Sequence, residues 1–79
     1  NPMTTINYEI LEKSFVEILI HDLQGNLIVK LYNGIQSPGL KSLQWYANNS
    51  VGIPVSSGTY LYSIKSNGHS QTKTMIFLK

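Results

Sequence analysis

The side chains best suited to metal ligation or acid–base work are two histidines, His21 and His69, and four carboxylates, Glu9, Glu12, Glu17 and Asp22. Neither His has a second His, a Cys or a carboxylate at a metal-ligand spacing, so surface imidazoles are the simpler reading. Glu9 and Glu17 would face each other across a first hairpin, as the paired carboxylates of a glycosidase do across a scissile bond. Both fall on faces predicted to point outward, and no inserted loop builds a pocket beside them, so they read as solvated side chains. Asp22 reads as a turn residue. There is no Gly-x-Ser-x-Gly elbow, P-loop or dinucleotide fingerprint. The six glycines, Gly25, Gly34, Gly39, Gly52, Gly58 and Gly68, are scattered among turns. We expect no catalytic residue, no metal, no cofactor and no small-molecule ligand; the chain is not expected to be an enzyme.

Composition narrows the class further. A chain of 79 residues without Cys makes one domain with a small core and no disulfide or thiolate–zinc staple. Its 42% hydrophobic and 10% aromatic content argues against disorder. The net charge is +2, carried by six Lys and no Arg. That balance is too weak to imply a nucleic-acid partner, and bidentate guanine or phosphate recognition is missing. Apolar runs reach only three residues, as in Ile18-Leu19-Ile20, so nothing predicts a helical membrane span. No signal-peptide pattern opens the chain. Asn1-Pro2 is not a natural translation start, so we expect an excised piece of a longer protein.

The elements that would position these groups are all strands. Residues 4–11 alternate, with Ile6, Tyr8 and Ile10 on one face and Asn7 and Glu9 on the other. Residues 15–21 place Val16, Ile18 and Ile20 on one side and Phe15 and Leu19 on the other, which predicts a central strand or one with a covered outer face. Asp22 to Asn26 reads as a turn, with Gly25 supplying positive φ. Residues 27–32 form a third strand whose apolar positions, 27, 28, 29 and 31, leave the inward set ambiguous and suggest a bulge. Asn33-Gly34 and Ser37-Pro38-Gly39 bracket a loop. A fourth strand over 40–47 puts Leu43 and Trp45 on one face. Residues 48–54 are the longest irregular stretch. A fifth strand over 59–65 sets Tyr60, Tyr62 and Ile64 in phase, and Asn67-Gly68 signals a tight hairpin into a last strand over 70–78. Met75 and Phe77 are expected inward there, against the rival set Thr72, Thr74, Ile76 and Leu78. Six to seven short strands at this spacing predict an all-β, immunoglobulin-like antiparallel β-sandwich, with a seventh strand very short or upstream of Asn1. A small open barrel is the alternative.

The aromatics admit two readings. Trp45, Tyr60 and Tyr62 would make a sugar-stacking platform if exposed. In a core this small, Trp45 and Tyr60 are expected to be its centre instead. Asn48-Asn49-Ser50 matches a glycosylation acceptor pattern, a match of little specificity.

Taken in order, the motifs form a set. Asn1-Pro2 precedes Thr4-Thr5-Ile6-x-Tyr8. Val16-x-Ile18-x-Ile20-x-Asp22-x-x-Gly25-x-x-Ile28-x-x-Leu31 follows, then Pro38-Gly39 before a strand carrying Trp45. Next come Gly52-x-Pro54-Val55-x-Ser57-Gly58-x-Tyr60-x-Tyr62-x-Ile64 and Thr72-Lys73-x-Met75-x-x-x-Lys79. Over essentially the whole chain this resembles the type A C-terminal sorting domain of type IX secretion substrates from Bacteroidetes. That family overlaps in sequence with the immunoglobulin-like domain of the flagellar hook-capping protein. The ending from Lys73 to Lys79 favours the sorting domain over the hook cap. Met3 directly after Pro2, and His21 where an aromatic is common, depart from the family pattern without breaking it.

The resemblance implies a single non-catalytic domain, residues 1–79, at the C-terminus of a larger exported protein. The parent would pass through the periplasm, be recognised by the outer-membrane type IX translocon, and end secreted or attached to the cell surface by a sortase that cleaves upstream of Asn1. The implied recognition residues are Lys73, Met75, Ile76, Phe77, Leu78 and Lys79. Asn1, Pro2, Gly25, Trp45, Gly58, Tyr60 and Tyr62 match motif positions of structural kind. A second reading, from another class, is an immunoglobulin-like spacer or carbohydrate-binding module beside a secreted hydrolase.

Overall fold

The computed structural model describes residues 3–78. Its strands are β1 (Thr4–Ile10), β2 (Ser14–Asp22), β3 (Leu27–Gln36), β4 (Gly39–Trp45), β5 (Gly58–Ser66) and β6 (His69–Phe77). They form two antiparallel sheets, one of order β1-β4 and one of order β3-β2-β5-β6. The expected antiparallel sandwich is therefore present with six strands. The four-stranded order matches immunoglobulin strands C′, C, F and G, and β1-β4 matches B and E.

Alternation places the core. Ile6 and Ile10 of β1, Val16, Ile18 and Ile20 of β2, Trp45 of β4, Tyr60 of β5, and Met75 and Phe77 of β6 are all buried. One cluster gathers Ile6, Ile20, Trp45, Ala47, Tyr60, Met75 and Phe77. A second holds Ile10, Val16 and Ile18. Tyr8, Leu31 and Ile64 pack against both, joining them into one interior. β2 lies between β3 and β5, the central position expected from its two apolar faces. On its outer side Leu19 is buried, whereas Phe15 remains 53% exposed.

Three expectations are corrected. β1 pairs with β4, Thr4 opposite Trp45 through Ile10 opposite Gly39, and not with β2. Glu9 and Glu17 therefore lie in different sheets, and Glu17 pairs with Lys30 at 3.2 Å. β3 does not stop at Asn33-Gly34 but continues to Gln36, with Gly34 opposite Val16. A methyl at Gly34 would stand 3.1 Å from the Tyr32 hydroxyl, so this glycine makes room for the Tyr32 ring within a strand. β4 ends at Trp45, because Ala47 adopts φ 59°, a left-handed backbone that breaks the strand. The irregularity expected in β3 is real. Its register against β2 shifts between Ile18 and Leu19 and again between Ile20 and His21, so Leu31 and Ile28 have no opposite residue.

Trp45 is fully buried and anchors the larger cluster. Its ring meets Tyr60 and Phe77 edge-on, with centroids 5.3 and 6.2 Å apart. Its indole N–H donates to the Asn48 carbonyl at 2.9 Å, which satisfies the polar atom and fixes the chain leaving β4. Trp45→Ala should cost about 3–5 kcal/mol through the cavity it leaves. That is much of the ~5–15 kcal/mol that holds a typical domain folded. Urea denaturation followed by circular dichroism checks this; a loss under about 1 kcal/mol would show that Trp45 does not organise the core.

Candidate functional site

β6 carries Lys73, Met75, Ile76 and Phe77 of the recognition residues expected from the sequence, and the hairpin before it sets their phase. Asn67 and Gly68 have φ 51° and 75°, the two positive values of a type I′ turn. From that turn His69–Phe77 runs against Gly58–Ser66 in nine consecutive pairs without a shift. Met75 and Phe77 consequently point into the core, at 9% and 3% exposure, while Ile76 stands out at 67%. Leu78, just past the strand, is 75% exposed. Lys73 shares the Met75 face by alternation but lies in an exposed stretch. Asn1, Pro2 and Lys79 lie outside the described residues.

β6 pairs with β5 alone among the described strands, so its other edge presents unpaired N–H and C=O groups. A Ser63–Thr72 hydroxyl contact of 3.1 Å ties its middle to β5. No bulge or Pro interrupts it, and Lys73 is the charged residue within it.

Of the motif positions, Trp45 and Tyr60 pack with Met75 and Phe77 behind this strand. Tyr60 is buried opposite Met75, and its hydroxyl donates to the Ser56 carbonyl at 2.7 Å. This is the tyrosine corner of immunoglobulin-like folds, at the start of the strand corresponding to F. Sequence reading placed Tyr60 in the core but missed this bond; the signal was its position just after the Ser56-Ser57-Gly58 turn. Gly58 lies opposite Phe77 with ordinary φ, and a methyl there would only touch the Tyr60 ring at 4.0 Å. Tyr62 is half-buried opposite Lys73. Gly25 has φ 88° in the turn after β2.

That turn is organised by Asp22. Its carboxylate accepts the Asn26 side-chain amide at 3.1 Å and the backbone N–H groups of Asn26 and Gln24 at 2.9 and 3.0 Å. These bonds, the Asn26 side chain foremost, lower its pKa from the ordinary 3.8. The carboxylate is thus spent on the turn. His21 and His69 lie on different strands, and no group of three metal-ligating side chains occurs among the described residues. Neither Trp45 nor Tyr60 is exposed enough to stack on a sugar.

Architecture and the tyrosine corner define the class, an immunoglobulin-like β-sandwich domain. The comparisons agree at the level of fold. No family model matches the chain, and no curated protein matches it. Among solved structures, FlgD of P. aeruginosa, the flagellar hook-capping protein, superposes with a TM-score of 0.74 at 21% sequence identity. The match covers 96% of this chain and 60% of that one, so the chain spans less than two thirds of the FlgD structure. A superposition of that quality at that identity shows a shared fold alone.

Asp22 gives a pH test of the turn. With its folded pKa depressed, its contribution is complete above the unfolded value near 3.8 and is lost as pH falls through the folded value. Asp22→Asn should lower stability at neutral pH and flatten the acid limb of a stability–pH curve measured by thermal unfolding. An unchanged acid limb would show that other carboxylates carry it.

Proposed function

We propose that this domain is a non-catalytic C-terminal export signal that directs its parent protein to the type IX outer-membrane translocon, for release or attachment at the cell surface. The observation that carries the reading is the terminal strand: a nine-residue, unbulged edge with Ile76 and Leu78 exposed at its end. Such an edge can be captured by β-augmentation, in which main-chain hydrogen bonds give affinity and alternate side chains give specificity. Supporting context comes from the ordered motifs around this strand; the fold shared with FlgD agrees with the immunoglobulin-like architecture those motifs imply.

The proposed recognition residues fall into two groups by exposure. Lys73, Ile76 and Leu78 are accessible on the folded domain, and Lys79 lies outside the described residues. Met75 and Phe77 are core residues, read directly only if the strand peels away. The folded domain therefore offers the backbone edge, Ile76 and Leu78, and the translocon and sortase are the proposed partners. The spacer reading shares the same architecture; a sugar-binding role on Trp45 loses its platform because that ring is buried.

Truncation is a poor test, because removing Met75 and Phe77 would unfold the core. The double variant Ile76→Ser, Leu78→Ser leaves the core untouched. Fused to a periplasmic reporter in a bacterium that has a type IX system, the intact chain should move the reporter to the medium or cell surface. The double variant, folded by circular dichroism, should leave most of it in the periplasm. Equal export of both would sink the assignment of these residues, and no export of either would sink the function.

A further inference from the structure

The two-stranded sheet turns one face away from the core. Thr5, Asn7 and Glu9 of β1 and Leu40, Ser42 and Gln44 of β4 alternate with the inward residues of those strands and are exposed. The register sets Thr5 opposite Gln44, Asn7 opposite Ser42 and Glu9 opposite Leu40, which makes one continuous strip. Just beyond β4, Tyr46 keeps the outward phase and is 57% exposed. Its hydroxyl donates to Gln44 Oε1 at 2.6 Å, which draws the ring back along the strand and fixes it at the end of the strip. At the opposite end lies an open depression of about 390 Å³, where Asn7, Glu9, Leu40 and Lys41 meet.

We infer that this strip binds an extended, neutral, β-linked polysaccharide, with one sugar ring stacked on Tyr46. The face of an aromatic ring carries negative charge density that attracts the C–H face of a pyranose. Tyr46 offers a ring whose orientation is already set by Gln44, so little freedom is lost on contact. Between Tyr46 and the depression the outward groups are amides and hydroxyls, which serve sugar hydroxyls as donors and as acceptors. Charge selects a neutral chain. Thr5, Asn7, Ser42 and Gln44 carry none, and Glu9 and Lys41 cancel at the depression, so the strip steers neither a polyanion nor a polycation. Shape selects an extended one. From Leu40 to Tyr46 the strand rises about 20 Å, a straight run that suits the ribbon of a β-linked glycan better than the coil of an α-linked one.

The other aromatic surfaces suit this ligand less well. Trp45 and Tyr60 are buried. Phe15 is half exposed on the outer side of the four-stranded sheet, but Ile35 lies opposite it and the Lys30–Glu17 ion pair occupies that sheet's middle. A further strand beside β1 would widen the two-stranded sheet and leave its outer face open. The strip is distinct from the β6 edge of the export reading, and neither role needs the other.

The test titrates the 79-residue chain with cellohexaose, maltohexaose and hexagalacturonate while backbone amide NMR shifts are recorded. Cellohexaose, neutral and β-linked, should bind saturably and shift residues 5–9 and 40–46. The α-linked maltohexaose and the anionic hexagalacturonate should each bind roughly tenfold more weakly. Tyr46→Ala, at an exposed position and folded by circular dichroism, should weaken cellohexaose about tenfold. Tyr46→Phe, which keeps the ring and loses only the tie to Gln44, should weaken it less. Asn7→Ala should cost about threefold, the effect of one hydrogen bond. Several results would overturn the proposal: no saturation with cellohexaose, shifts confined to the four-stranded sheet, equal binding of the three sugars, or indifference to Tyr46→Ala. An equal loss in Tyr46→Phe and Tyr46→Ala would assign the contact to the hydroxyl and overturn the stacking role.

Discussion

The structure depends on one buried ring. Trp45 sits at the end of β4, yet its neighbours Tyr60 and Phe77 belong to β5 and β6 of the opposite sheet. The contact joins the two layers in a chain that has no disulfide to do so. It also disciplines the loop between the sheets. The indole bond to the Asn48 carbonyl, the left-handed Ala47 and the bridge between Asn48 and Pro54 turn the chain away from β4. The Tyr60 hydroxyl then holds the far end of that loop at Ser56. A crossover that is long for a compact domain is thereby pinned at both ends by aromatic side chains whose bodies lie in the core.

Much of this was legible in the alternation of side chains, because each inward set is a local property of one strand. Ile6 and Ile10, Val16 through Ile20, and Met75 with Phe77 were readable for that reason. The strand partners were not. β1 and β4 are joined by more than two dozen intervening residues, and nothing local in residues 4–10 distinguishes β4 from the adjacent β2 as partner. β3 resisted for another reason: two bulges rotate its side chains, so Ile28, Val29 and Leu31 are all half-buried and no single period describes them.

The two Asn-Gly pairs show where local signals stop. At Asn67-Gly68 both residues take positive φ and the chain reverses. At Asn33-Gly34 the same dipeptide is threaded through a strand, because Tyr32 lays its ring over the glycine and Phe15, Val16 and Glu17 pair across from it. Turn chemistry permits a turn; the cross-strand partners decide whether it forms. For the proposed recognition residues the limit is similar. Their order along the chain was readable, but the free edge they present becomes visible only once β5 is known as the sole described neighbour of β6.

The last strand carries two demands that alternation keeps apart. Met75 and Phe77 face inward and complete the cluster around Trp45, so the strand cannot leave without exposing that ring. Ile76, and Leu78 beyond the strand end, stand in solvent, where apolar side chains beside unpaired backbone groups invite association. β3 interrupts its ladder with two bulges and carries Lys30, whereas β6 runs without a bulge and carries Lys73. The inward residues anchor the edge, and the outward ones leave it open to capture. Because both sets share one backbone, a partner that adds a strand along β6 extends a ladder already held by the core, and it can do so without undoing the packing of Trp45.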